Sequence, residues 1–225
     1  MTFSRFYLIK MNRLCSIFIL FFEMTSLFSF SHAEVLLERG STWKYLKGNE
    51  SSGDWLTVDC SSLDWPSGNA PFRYGDGLSG TLLSDMPRLY SVVYLCRNFE
   101  VQDVSKYSVL DLLVNFDDGF IVWINGHRLI AQNPPRTPLS KLASNSHESG
   151  KFEQFEIGEL GSFLKNGTNK IAIQAFNFSL SSSDFLIDAE LIGILNDNKP
   201  PVLSGFLPES GRIQKLNSVQ LQFSE

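Results

Sequence analysis

The sequence predicts an all-β chain: one antiparallel β-sandwich with a truncated second β domain after it. Three observations carry this. Short apolar runs recur at close intervals between polar turns, and Phe, at 19 of 225 residues, is abundant alongside Ser, Asn and Gly, a composition that suits half-buried strands and tight turns. Asn125-Gly126 stands between two apolar runs, the strongest short-range signal for a two-residue hairpin, because a type I′ turn needs positive φ at both central positions. The amphipathic helices that a parallel α/β fold would place between its strands are missing from the pattern. At 43% hydrophobic residues the chain has enough apolar side chain for a packed core.

The first 33 residues read as a secretory leader. Arg5, Lys10 and Arg13 precede the apolar "LCSIFILFF", and "SHA" supplies a small-x-small end at Ala33. Glu23 and the Thr-Ser pair behind it break the apolar stretch, leaving it short of the ~20 residues that span a bilayer. Cleavage after Ala33 is the expectation, with no transmembrane segment in the mature chain. Removing Arg5, Lys10, Arg13 and Glu23 takes the balance from 19 basic against 24 acidic residues to 16 against 23, a net −7. A surface that acidic argues against nucleic acid as a partner. Cys15 falls in the leader, so Cys60 and Cys96 are the mature cysteines. In an oxidising compartment they either form one disulfide or stay buried as two thiols.

From residue 34 the elements run in order. "EVLLERG" is an apolar run ending in a Gly-Ser turn, and "TWKYL" alternates as a half-buried strand does. Residues 48–87 carry little periodicity and read as loop with short strands or a helical turn, anchored by Trp55 and Trp65. Seven strands are then expected: 89–101, 108–116, 120–124, 127–131, 151–157, 169–178 and 185–195. "GELGSFLKNG" interrupts them with a single helical turn that ends at Asn166-Gly167. The sandwich thus occupies 34–195. Residues 196–201, "NDNKPP", form a polar linker, and 202–225, including the alternating "SVQLQFSE", read as the start of a second, incomplete β domain belonging to a longer multidomain protein.

Six phrases together, "STWKYL", "APFRYGDG", "VVYLCRNFEV", "VNFDDGFIVWINGHRL", "LKNGTNKIAIQAFN" and "SDFLIDAEL", resemble galactose-binding-like jelly-roll modules of secreted bacterial proteins. A related module is the sugar-binding domain of family 2 glycoside hydrolases. The resemblance covers Val35 to Ile194, and its most specific parts are the hairpin and "NGTNKIAI". Cys96 departs from it, standing where a larger or basic residue is usual. The closing "PPVLSGFLPESGRIQKLNSVQLQFSE" resembles the opening of a bacterial Ig-like domain. The resemblance implies a jelly-roll sandwich that binds carbohydrate through loops at one end or a concave face, or serves as a spacer beside a catalytic domain. It also implies a structural calcium ion held by loop oxygens.

Asp117 and Asp118 admit three readings. A glycosidase acid/base pair sits across a bond, its carboxyls about 5 Å apart or more, whereas neighbours in a strand point to opposite faces. Asp-Asp-Gly before an apolar strand suits a turn closed by Asx hydrogen bonds. Calcium ligation is the third reading, with Asp54, Asp76 and Asp197 as equal candidates, and no cofactor is expected beyond such an ion. In "FIVWI" alternation puts Val122 and Ile124 on one face with Ile121 and Trp123 on the other. If the first pair faces the core, Trp123 lies outside or under a loop, where a free indole face would stack on a sugar ring. Trp43, Trp55 and Trp65 share that ambiguity.

"GDGLSG", 75–80, matches G-x-G-x-x-G, but no buried strand is expected to run into Gly75 and no βαβ unit surrounds it, so it reads as a loop needing positive φ. His127 and His147 lack zinc-site spacing, no G-x-S-x-G elbow is present, and the three Asn-x-Ser/Thr triplets at Asn49, Asn166 and Asn177 are attributed to composition. The expectation is a non-catalytic secreted or cell-surface module that binds carbohydrate through Asp117, Asp118, Trp123 and Asn125. The alternatives are a pure spacer or adhesion module and the N-terminal fragment of a larger extracellular hydrolase.

Overall fold

The computed structural model describes residues 33–48, 53–75, 79–137 and 140–196 in full, and the backbone of 5–10, 202–207 and 218–224. The chain divides into two compact units, one of His32–Asn196 and one of Met1–Ser31 with Asp197–Glu225. In chain order the strands are β1 (Arg5–Lys10), β2 (Ala33–Leu37), β3 (Thr42–Lys47), β4 (Ser67–Asn69), β5 (Phe72–Tyr74), β6 (Thr81–Leu82), β7 (Val92–Val101) and β8 (Tyr107–Asp117). They continue as β9 (Gly119–Ile124), β10 (His127–Gln132), β11 (Glu153–Ile157), β12 (Gly167–Phe176), β13 (Phe185–Leu195), β14 (Val202–Leu207) and β15 (Ser218–Ser224).

In the smaller unit β1 and β14 each pair antiparallel with β15. The expected "SVQLQFSE" strand is thus present as β15. The expected leader falls largely on 11–32, and most of the expected linker on 197–201, both outside the described residues. Among the described residues no helix is long and apolar enough to cross a membrane.

The larger unit is the expected all-β sandwich. One sheet has the order β10-β9-β12-β7-β3-β4, the other β11-β8-β13-β5-β6, with β2 also on β13. Every pairing is antiparallel except the short β5–β6 contact. Alternation along the strands sorts the side chains. On β12, Ile171 and Ile173 join Val122, Ile124, Leu110, Leu112, Val114 and Ile187 in the core between the sheets, whereas Ala172 and Phe176 face the other way. Each of those buried aliphatic side chains contributes roughly 1.5–3 kcal/mol relative to exposure. The outward face of the first sheet carries a second apolar cluster, in which Tyr94, Ile121 and Phe176 meet Trp55 and Trp65 from the loop that crosses over them.

The Asn125-Gly126 hairpin forms as expected. Ile124 pairs with His127, and φ is +48° at Asn125 and +85° at Gly126. The single turn expected in "GELGSFLKNG" is the 3₁₀ segment Leu160–Ser162. Most strand ends shift by one to three residues, and two of the shifts have a visible cause. β7 begins at Val92 and not at Leu89, because a turn in which Leu89 and Tyr90 both donate to the Met86 carbonyl takes the preceding residues, with Arg88 at φ +65°. β12 ends at Phe176, before Asn177 and Phe178 enter side-chain-mediated contacts.

The glycine-rich stretch requires one correction. A strand, β5, does run into Gly75, and it is buried at all three positions, because it lies between β13 and β6 and Phe72 and Tyr74 join the core between the sheets. The next element after Gly80 is the two-residue strand β6 and not a helix, so no helix N-terminus is aimed at the loop. Gly75 and Gly80 adopt φ of +78° and +82°, as a loop needing positive φ would. At Gly80 a Cβ would lie 2.1 Å from the Pro71 carbonyl oxygen. Gly80→Ala is therefore expected to destabilise the unit by about 1–3 kcal/mol, read as a lower urea midpoint at unchanged slope. A neutral substitution would show that this loop shifts freely.

Candidate functional site

The C-terminal end of β8, the start of β9, the end of β12 and the start of β13 converge on one rim of the sandwich. β13 pairs with β8 so that Leu186 stands beside Asp117, and Phe176 of β12 pairs with Gly119 of β9. Gly119 lets the chain close up here, since a Cβ would meet the Asn133 carbonyl oxygen at 2.7 Å. Asp117 and Asp118, joined by a cis peptide bond, are 3% and 4% exposed.

Asp118 is a clamp between distant loops. Its Oδ1 accepts from the His147 backbone N–H at 2.8 Å and its Oδ2 from the Phe178 N–H at 2.6 Å. Its own N–H donates to the Phe176 carbonyl, and its carbonyl accepts from Asn133 Nδ2. These partners correct the expected Asx turn: they lie far along the chain, because β8 and β9 meet at a point where two long loops also end. The alternation argument also fails at this pair, since Asp118 lies between strands and both carboxylates are buried at the same rim.

Asp117 points to a different set. One carboxylate oxygen each from Asp117, Glu148 and Asp184 lie within 4.8 Å of one another. Burial pushes the Asp117 carboxyl up to about 7; the charges of Asp118, Asp184 and Glu148 add to this, and the Ser149 backbone N–H opposes it. Such a group of three carboxylates either shares a proton near neutrality or holds a cation. Three oxygen donors of full or partial charge fit a hard divalent ion such as calcium. Asp117, Glu148 and Asp184 are then the residues that would hold it, and its charge would offset their mutual repulsion. Of the other expected ligands, Asp54 lies beside Trp55 in the loop over the first sheet, and Asp76 and Asp197 fall outside the described residues.

Around the cluster the loops are held firmly. His147 stacks on Phe116 at 4.0 Å with 7° between the planes, and its ring nitrogens face the Phe116 carbonyl and Glu153 Oε1 at 3.1 and 2.9 Å. Asn177 donates to the Tyr74 hydroxyl and to the Asp184 carbonyl, while Tyr74 donates to the Ser182 carbonyl. Burial raises the Tyr74 hydroxyl's pKa, the Asn177 hydrogen bond partly countering it. Beside these polar groups the surface turns apolar. Phe178, next in sequence to Asn177, is 46% exposed, and Leu89, Leu142 and Leu180 are exposed with it. A groove of about 290 Å³ runs between Leu89, Tyr90, Ser91, Lys141, Leu142 and Leu180.

The other two expected ligand residues lie elsewhere. Six residues of β9 separate Asp118 from Asn125, about 20 Å at the rise of an extended strand, so the four residues do not form one site. The Asn125 side chain donates to the Phe163 carbonyl and to Asn169 Oδ1 and accepts from the Lys170 N–H, which fixes the hairpin to β12. Trp123 packs edge-on against Trp55 at 5.8 Å under the covering loop. Trp43 is buried between the sheets. Cys60 and Cys96 are bonded, with Cα atoms 5.6 Å apart. Glu148, Asp184 and Phe178 were not singled out from sequence. An acidic residue one position before the β13 strand pattern marks Asp184 locally, but nothing local ties it to Asp117.

No family model matches the chain, and no curated protein matches it. Solved structures similar to it include three β-glucuronidases. One is from an uncultured Clostridium sp., with 12% identity, TM-score 0.49, and 80% of this chain and 31% of that chain covered. Another is from Ruminococcus gnavus in complex with D-glucaro 1,5-lactone, with 11% identity, TM-score 0.46 and coverage of 75% and 30%. A third is from Bifidobacterium dentium, complexed with coumarin-3-O-glucuronide, with 19% identity, TM-score 0.43 and coverage of 67% and 21%. The chain thus spans a third or less of each.

Proposed function

We propose that the His32–Asn196 unit is a non-catalytic accessory module, exported to the cell surface or beyond, that binds carbohydrate weakly at the Asp117 rim. One observation carries this reading: the Phe178 backbone N–H is bonded to Asp118 at the rim where Asp117, Glu148 and Asp184 cluster, while the Phe178 side chain is left 46% exposed. Saccharides offer that pair of chemistries, hydroxyls for the carboxylates and an apolar C–H face for the ring. The buried Cys60–Cys96 disulfide supports an oxidising compartment, in agreement with the leader-like start. A spacer function is the second reading, supported by the internal commitment of Asp118, Asn125 and Trp123. On either reading the unit would serve as an N-terminal module of a larger extracellular protein, a hydrolase among them.

A glycan array probed with the wild-type chain, Phe178→Ala and Trp123→Ala tests this. The expected result is a neutral-saccharide signal that falls at least tenfold with Phe178→Ala and persists with Trp123→Ala, whose ring is under the loop. No signal from the wild type would leave the spacer reading. Loss with Trp123→Ala alone would move the site to the face of the first sheet.

A further inference from the structure

The loop over the first sheet is held differently from everything beneath it. Residues 53–66 contain no strand, and the backbone bond that ties them to one is at their end, where the Pro66 carbonyl accepts from the Tyr45 N–H of β3 at 3.0 Å. They rest on the sheet through the Trp55 ring, which meets Trp65, Tyr94 and Trp123 at 5.9, 5.2 and 5.8 Å. A few polar contacts add to this. Lys170 Nζ donates to the Trp55 and Val58 carbonyls, Asn98 Nδ2 to both oxygens of Asp59, and Lys44 Nζ to the Trp65 carbonyl. Among the described residues, the single covalent tie between the loop's interior and the sheet is Cys60–Cys96, with Cys96 fully buried on the central strand β7. The side chains under the loop form a cluster of their own, separate from the core between the sheets.

We propose that Cys60–Cys96 is a redox latch: with the disulfide intact residues 53–66 cover the aromatic face of the first sheet, and on reduction this flap opens while the sandwich stays folded. The latch divides the flap into two short arms, each with little freedom. Without it the flap is one long loop, whose opening gains conformational entropy and breaks no strand ladder. Opening uncovers Tyr94 and Trp123 on the sheet and Trp55 and Trp65 on the flap, an apolar aromatic surface that remains covered only where disulfides persist. The chemistry needs a dithiol reductant. Its two sulfurs deliver two electrons and two protons, the Cys60–Cys96 bond breaks to two thiols, and the reductant closes into its own disulfide. Both protein sulfurs are buried, so the reaction proceeds through transient flap opening.

Hydrogen exchange read by mass spectrometry on the full chain, oxidised and then reduced with dithiothreitol, tests the latch, with a Cys60→Ala/Cys96→Ala variant as the permanently open form. The expected result is a loss of protection of about 10- to 100-fold in peptides covering 55–63, with β8, β12 and β13 unchanged. Tryptophan emission should shift to the red and return on re-oxidation. Unchanged flap protection after reduction would show that packing and hydrogen bonds hold the loop unaided. Parallel loss in β8, β12 and β13 would make the disulfide a staple of the whole fold. Either outcome overturns the proposal. If the double variant does not fold, the chemically reduced wild type decides between these results.

Discussion

Replacing Asp118 with alanine should lower the free energy of unfolding by about 3–5 kcal/mol, since its two carboxyl oxygens accept from two backbone N–H groups and each buried donor left unsatisfied costs about 1–3 kcal/mol. The substitution leaves the N–H groups of His147 and Phe178, each now bonded to a carboxylate oxygen of a residue only 4% exposed, without acceptors. Both donors belong to long loops, so the loss should also be regional. Denaturant unfolding gives the magnitude, and hydrogen exchange should report faster opening near 147 and 178 before the strands respond. Asp118→Asn, which keeps one carbonyl acceptor, should lose roughly half as much. A loss below about 1 kcal/mol with alanine would mean that water replaces the carboxylate and that the rim is not closed by this residue.

Asp117→Asn should act in the opposite direction. Its carboxyl titrates near 7 in the folded chain because it is buried beside Asp118, Asp184 and Glu148, against about 3.9 when unfolded. A raised folded value means that the native state holds the extra proton. The stability associated with that proton is fully present below about pH 4 and is lost as pH rises through about 7. Asparagine imitates the protonated acid, so the variant should be more stable than wild type at pH 8, by about 2–4 kcal/mol, and equal to it near pH 4. Calcium should reverse the order. At pH 8 a millimolar excess should raise the wild-type melting temperature, a shift undone by chelator, and leave Asp117→Asn little changed, because one of the three carboxylates that would hold the ion is gone. A wild-type curve flat between pH 4 and 8 would end the account of the cluster, and an absence of any calcium shift would leave it a proton-sharing group.

Locally written features were legible from the residues alone. Val122 and Ile124 alternate with Ile121 and Trp123 and do divide between the two faces of their sheet. Asn-Gly at 125–126 makes the only kind of turn that tolerates φ of +48° and +85° in succession. Trp123 was readable as either exposed or covered, and only the path of residues 53–66 resolved it. The Asx turn at Asp117-Asp118 was a reasonable local expectation that failed because the stronger partners came from loops far along the chain.

The sequence by itself determined the class of fold, the order of strands from 89 to 195 and the hairpin that joins β9 to β10, because hydrophobic period and turn conformation depend on neighbours a few residues apart. The tertiary structure alone decided that Asp117 meets Glu148 and Asp184, that the Asn125 side chain bonds Phe163, Asn169 and Lys170, and that Cys60 bonds Cys96. Those meetings depend on which strands lie side by side, and pairing between distant segments is set by the packing of the whole core and not by any stretch of residues that could be read on its own.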